Sequence, residues 1–246
     1  DSREFKLYFV DYLGNTRSMY DRYARNVYMI LYLFRNLNTH CSKSMSIYFY
    51  MTPFKKLLPD SKSVVLSREH INTGLTYQCV ENNTICVYRR EEWFKVFIHE
   101  LFHSYGTDMK ISFSPTVFKI DVKVMVGESY VEFWAVYFNS MIIAFHITRT
   151  IDSQQRNKKF SEYLAKIIRA ERIFSLIQVN KILRYNGINY LDLFKKNKYR
   201  EKTNIFAYFI IKSILLFHYS DFIHLCYKNN KDKYTVGDDD FIKDFI

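Results

Sequence analysis

The chain has 246 residues, 48% of them hydrophobic and 18% aromatic, and its formal net charge at pH 7 is +11. So apolar a chain can bury a sizeable core, which excludes intrinsic disorder, and the scarcity of glycine (6) and proline (3) argues against a loop-rich or many-turned β architecture. The bias towards Tyr, Phe, Ile, Asn and Lys is typical of AT-rich coding, as in some large DNA viruses and intracellular parasites.

Apolar spacing predicts a helix and then several strands in the first part of the chain. In chain order these are a helix over 17–37, strands over 45–51 and 63–67, and two β-rich runs over 74–80 and 84–90 that turn at Asn82-Asn83. Cys79 and Cys86 flank this turn and could face each other across the two runs. Reduced thiols are the expectation, because the core is large and the chain has only four cysteines.

Helical patterns dominate the rest of the chain. Residues 91–108, EEWFKVFIHELFHSYGTD, show no strand alternation and place Gly106 where a helix C-cap is expected. A second helix is predicted over 127–147, and the pattern from residue 152 onward is mostly helical. Segregated strands and helices predict an α+β fold rather than a βαβ repeat. We expect one domain over 1–150 and a helical, basic subdomain over 151–246 that packs on it.

The segment HELFH, residues 99–103, matches H-E-x-x-H. On a helix His99 and His103 share one face, so both imidazoles can bind one metal ion, and Glu100 projects beside them. Zinc in such a site activates a water molecule, and a neighbouring carboxylate serves as general base. The pattern therefore predicts a Zn²⁺ centre for peptide-bond hydrolysis, with Glu100 as catalytic base. The alternative is a buried His–Glu hydrogen-bonded cluster without metal.

Catalytic zinc usually takes three protein ligands, so a third ligand is required. The metzincin extension H-E-x-x-H-x-x-G-x-x-H is matched at Gly106, but Met109 stands where its third histidine would be, and Asp108 is one residue out of register. A better source is GESYVEFWA, in which Glu128 and Glu132 lie four positions apart and therefore on one helical face.

This arrangement resembles the gluzincins, a group of zincin metallopeptidases, and E-S-Y-V-E-F is similar to the E-x-x-A-E-F of lethal-factor-type metallopeptidases. The resemblance covers roughly residues 45–147. It implies a zincin-like domain with a small mixed sheet, an active-site helix and a glutamate helix. By this resemblance Glu128 is the third zinc ligand and Glu132 supports a ligand histidine, although the two roles could be exchanged.

The resemblance also implies two further parts of a site. Residues 83–90, NTICVYRR, would form the edge strand of the sheet, which pairs with an extended protein or peptide substrate. Gluzincins commonly supply a Tyr or His from beyond the glutamate helix to bind the oxyanion. The candidates here are Tyr137, His146, Tyr208, His218 and His224.

Charge and hydropathy leave a second function open. Residues 155–202 carry 13 Lys/Arg against 4 Asp/Glu, which admits nucleic acid as a partner, but no nucleic-acid-binding signature accompanies them. The alternative to a peptidase is a zincin-derived structural or interaction protein whose zinc is structural or whose site is inactive.

No signal peptide or membrane-spanning segment is expected, since Asn139 and Lys212 interrupt the longest apolar runs and these predict buried helices. We therefore expect a cytoplasmic or virion location. The start at Asp1 rather than methionine leaves secretion open.

Overall fold

The structure, a computed structural model, describes residues 3–12, 14, 16–108, 112–113, 117–195 and 198–229. These residues form seven α-helices and six strands, which confirms the predicted α+β class. The chain divides into two compact units, the first comprising Asp1–Lys56 and Asn72–Thr107 and the second Leu57–Ile71 and Asp108–Ile246. The boundary predicted at residue 150 falls between two helices of the second unit, and a domain division there stays a prediction.

The elements follow one another in this order: β1 (Glu4–Val10), α1 (Arg17–Leu33), β2 (Ser44–Tyr50), α2 (Arg68–Ile71), β3 (Gly74–Thr76), β4 (Asn82–Val87), α3 (Trp93–Ser104), β5 (Ser112–Phe113), β6 (Val124–Met125), α4 (Val126–Thr148), α5 (Ser153–Tyr185), a 3-10 turn (Tyr190–Phe194), a π-helical segment (Phe206–Ile211), α6 (Lys212–Phe217) and α7 (Tyr219–Asn229). The helices predicted over 17–37, 91–108 and 127–147 are present as α1, α3 and α4.

The first unit is built on a four-stranded mixed sheet with the order β1-β2-β4-β3. β1, β2 and β4 are parallel, and β3 runs antiparallel to β4 at the edge. Alternation with a period of two buries Met45, Ile47 and Phe49 on one face of β2. The Phe49 ring lies 5.0 Å from Phe9 of β1 and 5.6 Å from Phe97 of α3, so this core joins the sheet to the helix.

The structure of the first unit corrects three sequence predictions. The edge strand beside α3 is β3, whereas the predicted edge, residues 83–90, contributes β4 between β2 and β3. Asn82 and Asn83 begin β4 instead of forming the turn. The buried Asn83 amide donates to the Tyr77 carbonyl at 2.7 Å and so orders the connection between β3 and β4. Cys79 forms a disulfide with Cys41, and Cys86 is a free, half-buried thiol.

The second unit is mainly helical. The side chain of Asp152 caps α5 by accepting from the Gln154 N–H at 2.9 Å. The predicted strand over 63–67 is not formed: this stretch is a loop, and the Tyr185 hydroxyl on α5 lies 2.8 Å from the Val64 carbonyl oxygen. Here a tertiary contact overrides the strand preference of two adjacent valines.

One helix in the described part of the chain, α4, is long and apolar enough to cross a membrane, and half of its most apolar stretch is buried within the structure. The segment Phe206–Phe217 and the helix that follows it meet the same criterion together but are bent by 90°. Length and composition do not separate a membrane span from a core helix. The predicted absence of a span therefore stays a prediction.

Candidate metal centre

Helix α3 carries the H-E-x-x-H segment, and local signals define its C-terminal end. Gly106 has φ +61°, the left-handed conformation that glycine adopts most readily. The Gly106 N–H donates to the His103 carbonyl at 2.9 Å and the Thr107 N–H to the Phe102 carbonyl at 3.1 Å. This pair of bonds is the Schellman arrangement, and it confirms Gly106 as the C-terminal cap.

The two histidines of the segment come together as their spacing predicts. Their Nε2 atoms lie 3.0 Å apart, and His99 is only 8% exposed, while His103 is half-buried. Two nitrogens bound to one tetrahedral zinc lie about 3.3 Å apart, so the pair has close to the spacing that a shared ion requires. In a metal-free chain the same distance allows one imidazole to donate to the other.

Glu100 packs against Gly74 of β3, where the absence of a side chain leaves a notch in the sheet. It is 8% exposed, and a Cβ on Gly74 of β3 would stand only 2.7 Å from its Oε1. Glycine in a strand often marks a close approach of another group, and here that group is the motif carboxylate. The edge strand therefore lies directly against the part of α3 that carries the predicted general base.

The charge of the Glu100 carboxylate also acts on Cys86 of β4 and on Tyr88, which follows that strand. Burial raises the pKa of the Cys86 thiol, and the Glu100 charge raises it further. Burial, with the same carboxylate, raises the pKa of Tyr88 as well. The Tyr88 hydroxyl donates to the Gly74 carbonyl at 3.2 Å, which links β4 to the strand that forms the notch.

A buried polar relay holds the C-terminal end of α3. The Asn83 amide donates to the Ser42 hydroxyl at 3.1 Å, and that hydroxyl donates to the Ser104 carbonyl at 2.8 Å. The side chain of Asn38 donates to the Tyr105 carbonyl, also at 2.8 Å. These contacts satisfy carbonyl groups that a helix end leaves without intrahelical partners, so the loop before β2 fixes the turn that bears His103.

The same end of the helix is clamped by a disulfide and an arginine. A Cβ on Gly106 would approach the Cys79 Cβ to 2.9 Å, so the Cys41–Cys79 disulfide packs directly on the cap. The Arg3 guanidinium lies 4.2 Å from the centre of the Tyr105 ring, and burial raises the pKa of Tyr105 to about 12. Helix α3 is therefore held rigidly at its cap within the first unit.

The predicted glutamates lie on α4, in the second unit. Glu128 is half-buried in the first turn, where the helix dipole favours a carboxylate. Its Oε1 accepts from the Asn204 side-chain amide at 3.3 Å. Glu132 lies one turn further along α4 and is half-buried. Asp108 is described, while Met109 lies outside the described residues. The choice of third ligand stays a prediction.

The predicted oxyanion donors are spread over the second unit. His146 is half-buried on α4, 18 residues beyond Glu128, which corresponds to about 27 Å along a helix. His218 follows α6 with 69% of its side chain exposed. Tyr208 is half-buried in the π-helical segment and Tyr137 is half-buried on α4, whereas His224 is exposed on α7.

Comparisons of the chain with protein-family models, with curated proteins and with solved structures found no match.

Proposed function

We propose that the chain is a zinc-dependent metallopeptidase of the zincin type, in which His99, His103 and Glu128 bind Zn²⁺. The observation that carries the proposal is the pair of Nε2 atoms 3.0 Å apart on one helix, with the buried Glu100 between the two histidines in sequence. Two neutral imidazoles and a carboxylate form a donor set typical of catalytic zinc. An antiparallel edge strand beside the motif helix further supports this function.

Zinc, when bound, would supply Lewis acidity and bring the pKa of a water molecule towards roughly 7. Glu100 would accept a proton from that water at its carboxylate and return it to the leaving amine. Because Gly74 has no side chain, the Glu100 carboxylate can lie close to β3. Glu132 would support a ligand histidine by accepting from its second ring nitrogen.

Replacing Glu100 by glutamine tests the proposal. Loss of a general base typically lowers the rate by a factor on the order of 10² to 10⁴, while a residue that is not a ligand leaves the zinc content unchanged. Glu81→Gln is the matched control, because the Glu81 side chain is 62% exposed in the same unit. Peptide hydrolysis by Glu100→Gln at the wild-type rate would contradict the proposal.

The alternative is a zincin-derived interaction protein in which zinc is structural or the site is inactive. The 8% exposure of both His99 and Glu100 favours this alternative, since a catalytic base must reach water and substrate. One experiment distinguishes the two functions. A zinc-loaded chain that hydrolyses no member of a diverse peptide library supports the alternative, and hydrolysis that depends on Glu100 supports the peptidase.

A further inference from the structure

Asn204 contacts the predicted third ligand within the second unit. Its Nδ2 donates to Glu128 Oε1 at 3.3 Å, across 76 residues of sequence. Asn204 lies two residues before the π-helical segment Phe206–Ile211, and its carbonyl accepts from the Tyr208 N–H at 3.0 Å. The amide therefore approaches the first turn of α4 from a different element, which sequence spacing does not reveal.

The turn that presents Asn204 is built around a half-buried acid, Glu201. Glu201 Oε2 accepts from the Phe206 N–H at 2.7 Å and from the Tyr199 hydroxyl at 2.8 Å, and Tyr199 is 3% exposed. The Lys202 N–H donates to the Leu66 carbonyl at 2.9 Å, which fixes the other side of the turn. A turn held at both ends leaves the Asn204 side chain little freedom of direction.

We propose that Asn204 is a positioning residue that orients the Glu128 carboxylate for metal binding. The inference rests on the proposed function, because it requires Glu128 to be a zinc ligand. A hydrogen bond to one carboxylate oxygen restricts the orientation of the group, so less conformational freedom is lost when the ion binds. Loss of such an outer-shell partner typically weakens metal affinity by about 10- to 100-fold.

The test is a competition titration of zinc with a chromophoric chelator, on the full chain. The variants are Asn204→Ala, Glu128→Ala and the double variant, with Asn180→Ala as control because Asn180 is exposed on α5. We expect Asn204→Ala to weaken zinc binding 10- to 100-fold and Glu128→Ala to weaken it more. The double variant should match Glu128→Ala, because the amide then has no carboxylate to orient. Asn180→Ala should bind as the wild type does.

The outcomes separate this inference from the proposed function. Wild-type affinity in Asn204→Ala, together with weak binding by Glu128→Ala, overturns the role of Asn204 and leaves the zinc site standing. Absence of zinc binding in the wild type, or wild-type binding by Glu128→Ala, overturns the ligand assignment and the inference with it. An equal further loss in the double variant also overturns it, because it shows that Asn204 acts on the fold rather than through Glu128. If the alanine variant fails to fold, Asn204→Ser provides the same test, since its hydroxyl is too short to reach Glu128.

Discussion

Gly74→Ala should disable the proposed peptidase without removing its metal. The new Cβ would lie 2.7 Å from Glu100 Oε1 and 2.8 Å from Val96 Cγ1, against the 3.4 Å at which ordinary contact begins. The carboxylate must therefore retreat by about 0.7 Å or more. Misplacement of a reacting group by about 1 Å costs on the order of 100-fold in rate, and overpacking of this kind lowers stability by about 1–3 kcal/mol.

The assay is steady-state hydrolysis of a fluorogenic peptide, with zinc content and thermal unfolding measured on the same preparation. We expect kcat to fall on the order of 100-fold while zinc content is unchanged. Gly187→Ala is the control: φ there is +70° and no atom lies within 4 Å of the added Cβ, so only backbone strain of about 1 kcal/mol is expected. A Gly74→Ala chain with wild-type kcat would refute the notch as the reason for glycine at this position.

Three further predictions concern the stability of the two units. Burial raises the pKa of Glu201 to about 7 from its ordinary 4.5. The stability that this group contributes is therefore complete below pH 4.5 and is lost as the pH rises to 7. The total loss is about 3 kcal/mol in the free energy of unfolding. Glu201→Gln should remove that slope from chemical-denaturation curves, and an unchanged slope would contradict it. Cys41→Ser opens a disulfide with a sequence separation of 38 and should lower the free energy of unfolding by about 4 kcal/mol; a wild-type midpoint under non-reducing conditions would count against the disulfide. Ser42→Ala leaves the Ser104 carbonyl without its donor, at a cost of about 1–3 kcal/mol, and a shift in midpoint equivalent to less than about 0.5 kcal/mol would contradict the relay.

Local periodicity predicted much of the first unit. The alternation in residues 45–51 corresponds to β2, and the apolar spacing of residues 17–37 to α1. β1 was not predicted, although Phe5, Leu7 and Phe9 alternate as a strand requires. The predicted strand over 63–67 is wrong because its valines lie in a loop held by a contact from Tyr185 of α5, which a five-residue window does not contain.

The candidate site shows the same division between local and distant information. The approach of His99 to His103 follows from helical geometry alone, and the sequence located it. The closeness of Gly74 to Glu100 depends on β3 pairing with β4 at the edge of the sheet, and the contact of Asn204 with Glu128 depends on tertiary packing. A glycine at the start of a β-rich run was the one available signal for the notch. Asn204 had no comparable signal.

Metal analysis of the purified chain shows directly whether the H-E-x-x-H helix binds zinc. We expect one zinc ion per chain in the wild type and loss of that zinc in both His99→Ala and His103→Ala. Glu100→Gln should keep its zinc, since that carboxylate is proposed as a base and not as a ligand. A wild-type chain that binds no zinc after incubation with the metal and removal of the excess would contradict the proposed zinc site.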